Sequence, residues 1–488
     1  MTHHKLSDLL RGVPYEVLQG TTDCPVSDVV HNSRKVSTNA LFVCQRGLNT
    51  DGHRYIMEAS GAGATAFLVE DRTAEFPAGK TVIFTENARK AMGRVAANLH
   101  GNPAERMRLV GVTGTNGKTT TTHFIENILR FAGRKTGLIG TNGIFAGEEK
   151  LDIPFDTATT PDPLELHRIF AEMLHMGVQD VVMEVSSHAL ALHKMEGLTF
   201  DVGIFTNLTQ DHLDFHGTME NYHDAKAQLF KISRTAVVNQ DDPSTPTMVK
   251  YFNGDPCLSY GLKSEADLRA LHIQTAAHGM TFDLDFGGVM RYFTLPMLGL
   301  YNVSNCLAAV GTAYLLGIGM DKIREGAAGI IPVPGRLQAV PNDRGVLIIV
   351  DYAHTPDGLE NTIRAIRDLS PKRVITLFGC GGDRDKDKRP QMGRIAGELS
   401  DYVILTSDNP RTENPTEIIS QIEKGIMPAG ILYEVIENRR DAIRAGVALL
   451  KEGDALIIAG KGHEDYQIIG TTKHRFCDYE TVVEALCG

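Results

Sequence analysis

The chain has 488 residues, of which 42% are hydrophobic and 22% are charged, close to the averages of folded globular proteins. These fractions exclude a disordered chain or a fibrous repeat, and the length predicts two to four domains at about 100 to 200 residues each. The 49 Lys and Arg residues against 60 Asp and Glu give a net charge of −11, which argues against general affinity for nucleic acid or anionic membranes. A polyanionic ligand must therefore be held by a local site.

The first ten residues lack the apolar core and small-residue cleavage pattern of an export signal, and apolar stretches such as 310–320 are too short to span a bilayer. The seven cysteines are never closer than ten residues, which excludes a CxxC zinc or redox pair and a dense disulfide framework. We therefore expect a protein of the reducing cytoplasm, without membrane insertion.

The first predicted element is a helix over 87–101. Its apolar residues recur at helical spacing, Asn87 can cap its start, and Gly101 can end it. A strand at 109–112, a Gly-rich turn and a helix ending near Gly133 then open a new unit. We place the first domain boundary between these units, so that the first domain covers residues 1–106.

Three further apolar runs, at 181–185, 202–205 and 236–238, are typical of buried parallel strands, so residues 107–331 are predicted to form an α/β domain. After the Pro/Gly cluster at 332–335 further apolar runs of the same kind follow, at 346–350, 374–378, 402–405 and 455–459. The third predicted domain is therefore 332–488.

A polar motif follows each of these last four runs: DYAHTPD, GCGGDRDKDKRP, TSDNPRTENP and GKGHEDYQ. Ligands of open α/β sheets bind beyond the carboxyl ends of the strands. The position of these motifs therefore predicts a ligand site at one edge of the third domain.

The turn after the strand 109–112 has the sequence GTNGKTT, a variant of the phosphate-binding P-loop. Gly114 and Gly117 allow backbone N–H groups to turn toward phosphates, and the following helix N-terminus adds partial positive charge. Lys118 can reach the terminal phosphates, and Thr119 offers a hydroxyl to Mg²⁺. The pattern predicts a nucleoside triphosphate site.

Metal ligands are also suggested near this loop. Glu184 closes a predicted strand and supplies the oxygen that a hard cation prefers. Asp211, His212, Asp214 and His216 could form a second metal site, although a solvated loop explains their spacing equally well. Zinc is disfavoured because no thiol accompanies the histidines.

Seven motifs of the central and third parts occur in this order: GTNGKTTT, MEVSSHAL, TNLTQDHLDFHG, AKAQLF, LGLYNVSN, PGRLQ and VDYAHTPD. HNSRKV and DGHRYI come before them, and DNPR and GKGHED come after them. Together these motifs resemble the Mur ligase family of ATP-dependent amide-forming enzymes. The resemblance extends from the first predicted domain to the last. It implies an N-terminal domain that binds a UDP-linked substrate, a central P-loop ATPase domain and a C-terminal Rossmann-like domain that delivers an amino acid.

The resemblance implies ADP-forming addition of meso-diaminopimelate to the D-glutamate carboxylate of UDP-MurNAc-L-Ala-D-Glu through an acyl phosphate, in cytoplasmic peptidoglycan precursor synthesis. ATP, the UDP-linked dipeptide and the amine are the expected partners, and the protein is expected to act as a monomer. Mg²⁺ is the implied cofactor, because phosphoryl transfer requires neutralisation of charge.

Family positions carry over to individual residues of this sequence. The implied ATP contacts are Gly114, Thr115, Asn116, Gly117, Lys118, Thr119, Thr120, Asn302, Arg336 and Asp351. The implied metal ligands are Thr119, Glu184 and His212, and the implied catalytic residues are Lys118, Glu184, His212 and Lys226. Lys226 stands where family members carry a carbamate formed from CO₂, which is N6-carboxylysine; the local pattern alone would favour a lysine on a helix surface.

The implied contacts to the UDP-linked substrate are Ser33, Leu48, Asn49, Thr50, Thr159, Thr160, Ser186 and Lys194. The sequence departs from the family pattern at two places, because Leu192 and Lys194 stand where Gln and Arg are typical. Lys194 keeps the charge without the bidentate fork of Arg, whereas Leu192 cannot hydrogen-bond and is expected to pack in the core.

The implied diaminopimelate contacts are Arg384, Asp408, Asn409, Pro410, Arg411, Gly460 and Glu464. Diaminopimelate differs from lysine by a carboxylate beside its distal amine, and the fork of Arg411 can bind that carboxylate bidentately. Glu464 suits an ammonium group and Arg384 suits a carboxylate.

Three alternatives remain at the level of the sequence. One is a ligase of the same class that adds L-lysine, which Arg411 disfavours, and another is a ligase similar to folylpolyglutamate synthetase, which the N-terminal motifs and DNPR disfavour. The third is a non-catalytic nucleotide-binding switch, which the joint presence of Glu184, His212 and Lys226 disfavours.

Overall fold

The computed structural model describes residues 4–47, 50–153, 159–276 and 279–487. Leu48 and Asn49, which were predicted to contact the UDP-linked substrate, lie outside these ranges. The strands of the three large sheets come from three successive parts of the chain, 16–84, 108–295 and 338–459.

The N-terminal part is a five-stranded sheet in the order β2-β7-β6-β5-β4, with β1 and β3 paired beside it. Its strands are β1 His4–Lys5, β2 Glu16–Gln19, β3 Pro25–Val26, β4 Asp28–Val30, β5 Ala40–Val43, β6 Ala66–Val69 and β7 Thr81–Phe84. Its α-helices are α1 Leu6–Leu9, α2 Ile56–Gly61 and α3 Ala88–Leu99, and 3₁₀ turns cover Ser33–Lys35, Gly52–Tyr55 and Pro103–Arg106. Asn87 caps α3 by accepting the Lys90 N–H, as predicted.

The central part is built on an eleven-stranded sheet in the order β11-β10-β9-β12-β8-β13-β14-β15-β16-β17-β18. Its strands are β8 Arg108–Thr113, β9 Thr136–Gly140, β10 Gly143–Ala146, β11 Glu149–Lys150, β12 Asp180–Glu184, β13 Phe200–Phe205, β14 Ser233–Asn239, β15 Cys257–Gly261, β16 Leu268–Ala276, β17 Gly279–Phe286 and β18 Val289–Leu295. Its helices are α4 Lys118–Phe131, α5 Pro163–His175, α6 Ser187–Ala191, α7 Leu213–His216, α8 Met219–Lys231, α9 Thr245–Met248, α10 Leu300–Leu315 and α11 Met320–Ala328.

The C-terminal part is a six-stranded sheet in the order β19-β20-β24-β21-β22-β23, followed by a small hairpin. Its strands are β19 Gln338–Ala339, β20 Leu347–Asp351, β21 Val374–Phe378, β22 Tyr402–Leu405, β23 Tyr433–Val435, β24 Ala455–Ala459, β25 Tyr466–Ile469 and β26 Thr472–Arg475. Its α-helices are α12 Pro356–Arg367, α13 Lys388–Leu399, α14 Pro415–Ile426, α15 Arg439–Leu449 and α16 Asp478–Cys487, with a 3₁₀ turn at Met427–Ala429.

The apolar runs of the sequence form the parallel centre of each later sheet. β12, β8, β13 and β14 are neighbours and run parallel, as do β20, β24, β21 and β22. Their buried residues form the main cores together with α4, α10, α12 and α13. The carboxyl ends of these strands therefore meet at one edge of each sheet, where the polar motifs of the sequence lie.

Side chains of the central part complete the cores on either side of it. Leu164 packs against the N-terminal core, while Leu298 and Tyr301 pack against the core of the C-terminal part. Among the described residues, no helix is long and apolar enough to cross a membrane.

A buried ion pair fixes the C-terminal helix. Arg439 at the start of α15 makes two hydrogen bonds to Asp478 at the start of α16, at 2.8 and 2.7 Å, and a third to the carbonyl oxygen of Ala459 at 3.0 Å. Both charged side chains are fully buried. A buried charge that loses its partner is costly, so this pair makes the position of α16 specific.

We expect Asp478→Ala to lower the free energy of unfolding by about 3 to 5 kcal/mol, because it leaves the buried Arg439 without its counter-charge. Glu484→Ala is the matched control, since it removes the acid of the exposed Arg440–Glu484 pair from the same helix and should cost less than about 1 kcal/mol. Urea unfolding of both variants measures the difference. Equal losses would contradict the role assigned to the buried pair.

Candidate active site

The phosphate loop lies between β8 and α4, and its two glycines are required by its shape. Gly117 is in the left-handed region with φ of 84° and directly precedes α4. Gly114 has φ of 153°, and a Cβ there would collide with the hydroxyl of Thr206. The Thr206 hydroxyl also donates to the carbonyl oxygen of Asn116 at 2.7 Å, so the end of β13 holds the loop in place.

Two lysines converge on one carbonyl of this loop. Lys118 Nζ donates to the carbonyl oxygens of Gly114 and Thr115 at 2.9 and 2.8 Å, and Lys226 Nζ donates to that of Gly114 at 2.8 Å. Burial lowers the pKa of Lys118, while Glu184 acts in the opposite direction. This end of the loop therefore concentrates positive charge where phosphates are expected.

Lys226 is not a surface lysine. Only 1% of it is exposed, and its Nζ lies 4.2 Å from the centre of the Tyr222 ring. Burial lowers its pKa well below the ordinary value, the positive charge of Lys118 lowers it further, and Asp211 acts in the opposite direction. The neutral amine is thus readily accessible at this position.

Oxygen ligands suited to a hard cation lie beside the loop. The Thr119 hydroxyl donates to Glu184 Oε1 at 3.0 Å, and the backbone N–H of Thr141 donates to the same oxygen at 2.8 Å. Arg336, from the segment that leads into the C-terminal sheet, donates to the Thr119 hydroxyl at 3.1 Å. Hydroxyl and carboxylate oxygens fit Mg²⁺, so the chemistry of this pair agrees with its predicted role.

His212 lies on the other side of the loop with backbone φ of 55°. Burial lowers its pKa to about 3, although Asp211 acts in the opposite direction, so the imidazole is neutral near pH 7 and can bind a metal. Within the ranges that the structure describes, no group of three or more His, Cys, Asp or Glu side chains is arranged to hold a metal by itself. Any ion here would need further ligands, such as phosphate oxygens.

Asp211 links the central and C-terminal sheets. Its carboxylate lies 3.7 Å from Lys388 Nζ at the start of α13 and 3.9 Å from His354 Nε2, which follows β20. Although burial opposes ionisation, Lys388, His212 and His354 hold the pKa of Asp211 well below its ordinary value. A further link joins Asn116 of the phosphate loop to Asp357 of α12 at 2.8 Å.

Arg336 and Asp351, the two predicted ATP contacts that follow residue 331, have different contacts. Arg336 reaches the Thr119 hydroxyl and lies 4.6 Å from the centre of the Tyr352 ring. Asp351 accepts the backbone N–H of Leu337 at 2.6 Å and that of Ala353 at 2.9 Å. Asp351 thus fixes the backbone next to Arg336.

Asn302, another of the predicted ATP contacts, lies in the first turn of α10 with 1% exposure. Its amide donates to the carbonyl oxygen of Leu298 at 2.7 Å and accepts from Asn305 at 3.2 Å. The Asn305 side chain also accepts the Thr121 hydroxyl of α4 at 3.2 Å. This network ties the start of α10 to the phosphate-loop helix.

The residues predicted to contact the UDP-linked substrate fall into two groups. Thr160 and Ser186 lie together beside Glu184, since the Thr160 hydroxyl donates to the carbonyl oxygen of Glu184 at 3.0 Å and to Ser186 Oγ at 3.2 Å. Thr159 lies nearby, with its hydroxyl 3.3 Å from that of Thr141. The second group, Ser33 and Thr50, belongs to the N-terminal part.

The two departures from the family pattern behave differently. Lys194 is buried and forms an ion pair of 2.8 Å with Asp162 at the start of α5. The prediction that Leu192 packs in the core is wrong: Leu192 is half-buried at the end of α6 and belongs to none of the hydrophobic clusters among the described residues. The short α6 ends there, so the side chain remains near the surface.

The predicted amine site lies at the carboxyl edge of the C-terminal sheet. Asn409 Nδ2 donates to Glu464 Oε2 at 2.9 Å, and Arg411 Nη1 donates to the carbonyl oxygen of Gly382 at 2.8 Å. A Cβ at Gly460 would lie 2.6 Å from the Asp408 carboxylate. Pro410 is buried, whereas Arg384 is exposed at the rim of this group.

Arg411 has an unusual backbone, with φ of 50° in the left-handed region. The N–H of Arg411 donates to Ile468 O at 3.1 Å, and the N–H of Gly470 donates to the carbonyl oxygen of Arg411 at 2.8 Å. These two hydrogen bonds hold the conformation. Strain of this kind costs on the order of 1 kcal/mol and persists where surrounding structure enforces it.

Several residues of the site were not assigned from the sequence. Lys461 is buried beside Glu464, and Arg389 makes two hydrogen bonds to Glu413, at 3.0 and 2.9 Å, beneath the loop that carries Arg384. These residues lie inside the polar motifs that follow the strands. Their position there was the available signal, but spacing does not show which of their charges pair.

A contact between two glycines joins the amine site to the nucleotide site. Gly335 and Gly462 have φ of 70° and 53°, and a Cβ on Gly462 would lie 2.7 Å from Gly335 O and from Tyr352 Cβ. Gly335 precedes Arg336, and Gly462 lies two residues before Glu464. The segment that carries the amine-site carboxylate thus rests directly on the segment that reaches Thr119.

Comparisons with known proteins agree with this arrangement. Three family models match the chain: the Mur ligase family, catalytic domain over residues 25–100, the Mur ligase middle domain over 112–313, and the Mur ligase, glutamate ligase domain over 335–462. The UDP-N-acetylmuramoyl-L-alanyl-D-glutamate--2,6-diaminopimelate ligase 1 of Clostridium acetobutylicum is 42% identical over 482 residues, with 98% of each chain covered. The chain belongs to the Mur ligase family.

Solved structures extend the comparison of this Mur ligase. A UDP-N-acetylmuramoyl-L-alanyl-D-glutamate--2,6-diaminopimelate ligase superposes with a TM-score of 0.70 at 30% identity, covering 100% of this chain and 99% of the other. Folylpolyglutamate synthase of Mycobacterium tuberculosis, complexed with ADP and AMPPCP, superposes with a TM-score of 0.63 at 18% identity, covering 76% of this chain and 92% of the other. The latter likeness shows the shared fold.

We expect Gly462→Ala to lower kcat/KM of this Mur ligase by about 100-fold, a size typical of a misplacement near 1 Å, because the new Cβ would push the segments of Glu464 and Arg336 apart. Gly430→Ala is the matched control, because it has φ of 65° and open space around its Cα. The control should keep its activity within about threefold. Similar losses in steady-state assays of both variants would contradict the coupling.

Proposed function

We infer that the chain is an ADP-forming ligase that adds meso-diaminopimelate to the D-glutamate carboxylate of UDP-MurNAc-L-Ala-D-Glu, in peptidoglycan precursor synthesis. The observation that carries this inference is the direct contact between a phosphate-loop site and an amine site that contains an Arg and a Glu. Full-length likeness to relatives with this printed activity supports the substrate assignment.

We propose that the central site binds MgATP through residues 114–120, with Asn302 beside the adenine. Lys118 and the N-terminus of α4 orient the phosphates, and Arg336 adds a positive charge at Thr119. Thr119 and Glu184 would hold one Mg²⁺ and His212 would hold a second, and these ions would neutralise charge on the phosphoryl group during transfer. Asp351 keeps the backbone next to Arg336 in place.

The chemistry that these residues serve has two steps. The substrate carboxylate oxygen attacks the γ-phosphorus of ATP, and the bond to ADP breaks, which gives an acyl phosphate. The neutral amine then attacks the acyl carbon, phosphate leaves, and the amine loses a proton as the amide forms. The contacts of Arg336, Lys388 and Asp357 across the two sheets keep the intervening space closed to water that would hydrolyse the acyl phosphate.

We further propose that Lys226 is carbamoylated. Carbamate formation requires a neutral amine, and both burial and Lys118 favour that form of Lys226. The resulting carboxylate would place negative charge beside Lys118, where two lysine amines otherwise donate to one carbonyl oxygen. Lys226 would then serve as a positioning group for the metal side of the site.

The remaining assignments follow the same logic. Ser33, Thr50, Thr159, Thr160, Ser186 and Lys194 are proposed to bind the UDP-linked substrate, with Thr160 and Ser186 beside Glu184. Arg384, Asp408, Asn409, Pro410, Arg411, Gly460 and Glu464 are proposed to bind diaminopimelate.

We propose domains at 1–106, 107–331 and 332–488, supported by the separate origin of the three sheets. A monomer is proposed because one chain supplies both the phosphate-loop site and the amine site. A cytoplasmic location is proposed because the reaction consumes ATP.

The deciding experiment measures ADP and phosphate release with MgATP, bicarbonate and UDP-MurNAc-L-Ala-D-Glu, comparing meso-diaminopimelate, L-lysine and no amine, with product mass confirmed. We expect turnover with diaminopimelate and a loss of at least about 1000-fold in Lys118→Ala, which removes the cation at the transferring phosphates. Lys231→Ala, on the last turn of α8, is a control that should keep activity. Phosphate release without any amine would favour a nucleotide-binding switch, and use of a folate substrate would favour the folylpolyglutamate alternative.

We expect Arg411→Ala to raise KM for diaminopimelate strongly and to leave KM for the UDP-linked substrate within about twofold. The physical reason is loss of the guanidinium fork, and discrimination on the order of 10⁴ is possible for a site built around such a group. Arg394→Ala is the control, because Arg394 pairs with Glu398 on the exposed face of α13. If amine selectivity is unchanged, Arg411 does not bind the carboxylate.

A further inference from the structure

Lys461 is a buried lysine in the amine site that the assignments above leave without a role. It follows β24 and is completely buried, with 0% exposure. Its Nζ donates to Glu464 Oε2 at 2.8 Å and to Asn409 Oδ1 at 3.1 Å. Its Nζ also lies 5.4 Å from the centre of the Tyr466 ring. A fully desolvated ammonium persists only where such partners compensate it.

The contacts of Lys461 form a closed triangle. Asn409 Nδ2 donates to the same Glu464 oxygen at 2.9 Å, so each of the three side chains bonds to the other two. The backbone N–H of Ile468 fixes Asn409 Oδ1 at 2.9 Å. Glu464 is therefore held in one orientation before an amine binds.

The triangle also sets the charge of the site. Burial and Arg384 lower the pKa of Arg411, whereas Asp408, Glu464 and Asp383 act in the opposite direction, so one cation and three carboxylates act on this guanidinium. With Arg411 and Lys461 included, three cations face three carboxylates. The nearby Arg439 does not alter this balance, because it is paired with Asp478.

The two candidate amines differ in the charge that they bring to this place. The distal end of diaminopimelate carries an ammonium and a carboxylate and is neutral overall, whereas the distal end of lysine carries an ammonium alone. In a desolvated site one unit of charge has a large effect on binding. A site with no net charge suits the neutral distal end of diaminopimelate. A site with one cation fewer has a net negative charge and suits the distal ammonium of lysine.

We propose that Lys461 is a second specificity-determining residue, whose buried charge orients Glu464 and balances the site for an amine with both an ammonium and a carboxylate at its distal end. This proposal rests on the proposed function and deepens it. Arg411 binds the distal carboxylate directly. Lys461 acts indirectly, because it orients Glu464 and contributes one positive charge to the total charge of the site.

The test compares kcat/KM for meso-diaminopimelate and for L-lysine in the wild type, Lys461→Met and Lys461→Gln. Methionine removes the charge at similar length, and glutamine also keeps a hydrogen-bond donor for Glu464. The expected result is that the ratio of the two kcat/KM values falls at least about tenfold in both variants, through loss with diaminopimelate and gain with lysine. Lys473→Met is the matched control, because Lys473 lies 4.5 Å from the same Tyr466 ring but is exposed on β26.

The double variant Lys461→Met with Glu464→Gln restores the charge balance, so its ratio should rise above that of Lys461→Met alone. A role in folding alone would lower both kcat/KM values together and leave the ratio unchanged, which would overturn the proposal. Thermal melts identify a variant that does not fold. If Lys461→Met does not fold, the ratio measured for Lys461→Gln tests the proposal. A wild type without amine-dependent turnover would overturn the proposed function instead, which separates the two failures.

Discussion

The site depends on two lysine side chains that converge on one peptide carbonyl. Lys118, which is half-buried, and Lys226, which is buried, both donate to the carbonyl oxygen of Gly114, where burial reduces the screening of their mutual repulsion. Such an arrangement requires negative charge from elsewhere, and a triphosphate supplies it on one side. The lowered pKa of Lys226 relieves the repulsion on the other side. Glu184, Asp211 and the closing C-terminal domain complete the electrostatic balance.

The C-terminal domain contributes to this balance from a distance. Arg336 contacts Thr119, Lys388 faces Asp211, and Asp357 binds Asn116, so three separate segments meet the phosphate loop. The same domain holds the amine site, and the contact between Gly335 and Gly462 joins the two functions. The contacts to the phosphate loop and the proposed amine site therefore belong to one domain, which would hold the two substrates in a fixed relative position.

Much of the fold could be predicted from the sequence, because the buried parallel strands are continuous apolar runs. β8, β12 and β13 are of this kind, and the polar motifs at their ends gave the phosphate loop and Glu184. The antiparallel hairpins of β17 and β18 were not predicted, because these strands alternate between buried and exposed residues over a surface. The strands of the N-terminal sheet were not predicted, because each is too short to show a clear apolar pattern.

The site was predictable in its parts but not in its connections. Spacing predicted the roles of Lys118 and Thr119, whereas the burial of Lys226 on α8 was not predicted, because a lysine is rarely fully buried unless it is paired. The pairing of Lys461 with Glu464 within one motif was equally hidden, since i to i+3 spacing outside a helix does not fix a contact. For Leu192 burial was predicted but not found, because an apolar residue at the end of a short helix does not have to reach the core.

The left-handed backbone of Arg411 has a consequence for the loop that carries it. Asn and Gly adopt that conformation more easily than Arg does, so replacing this residue would relax the loop while removing the guanidinium. Stability of the loop and the proposed amine contact therefore place opposing demands on this position.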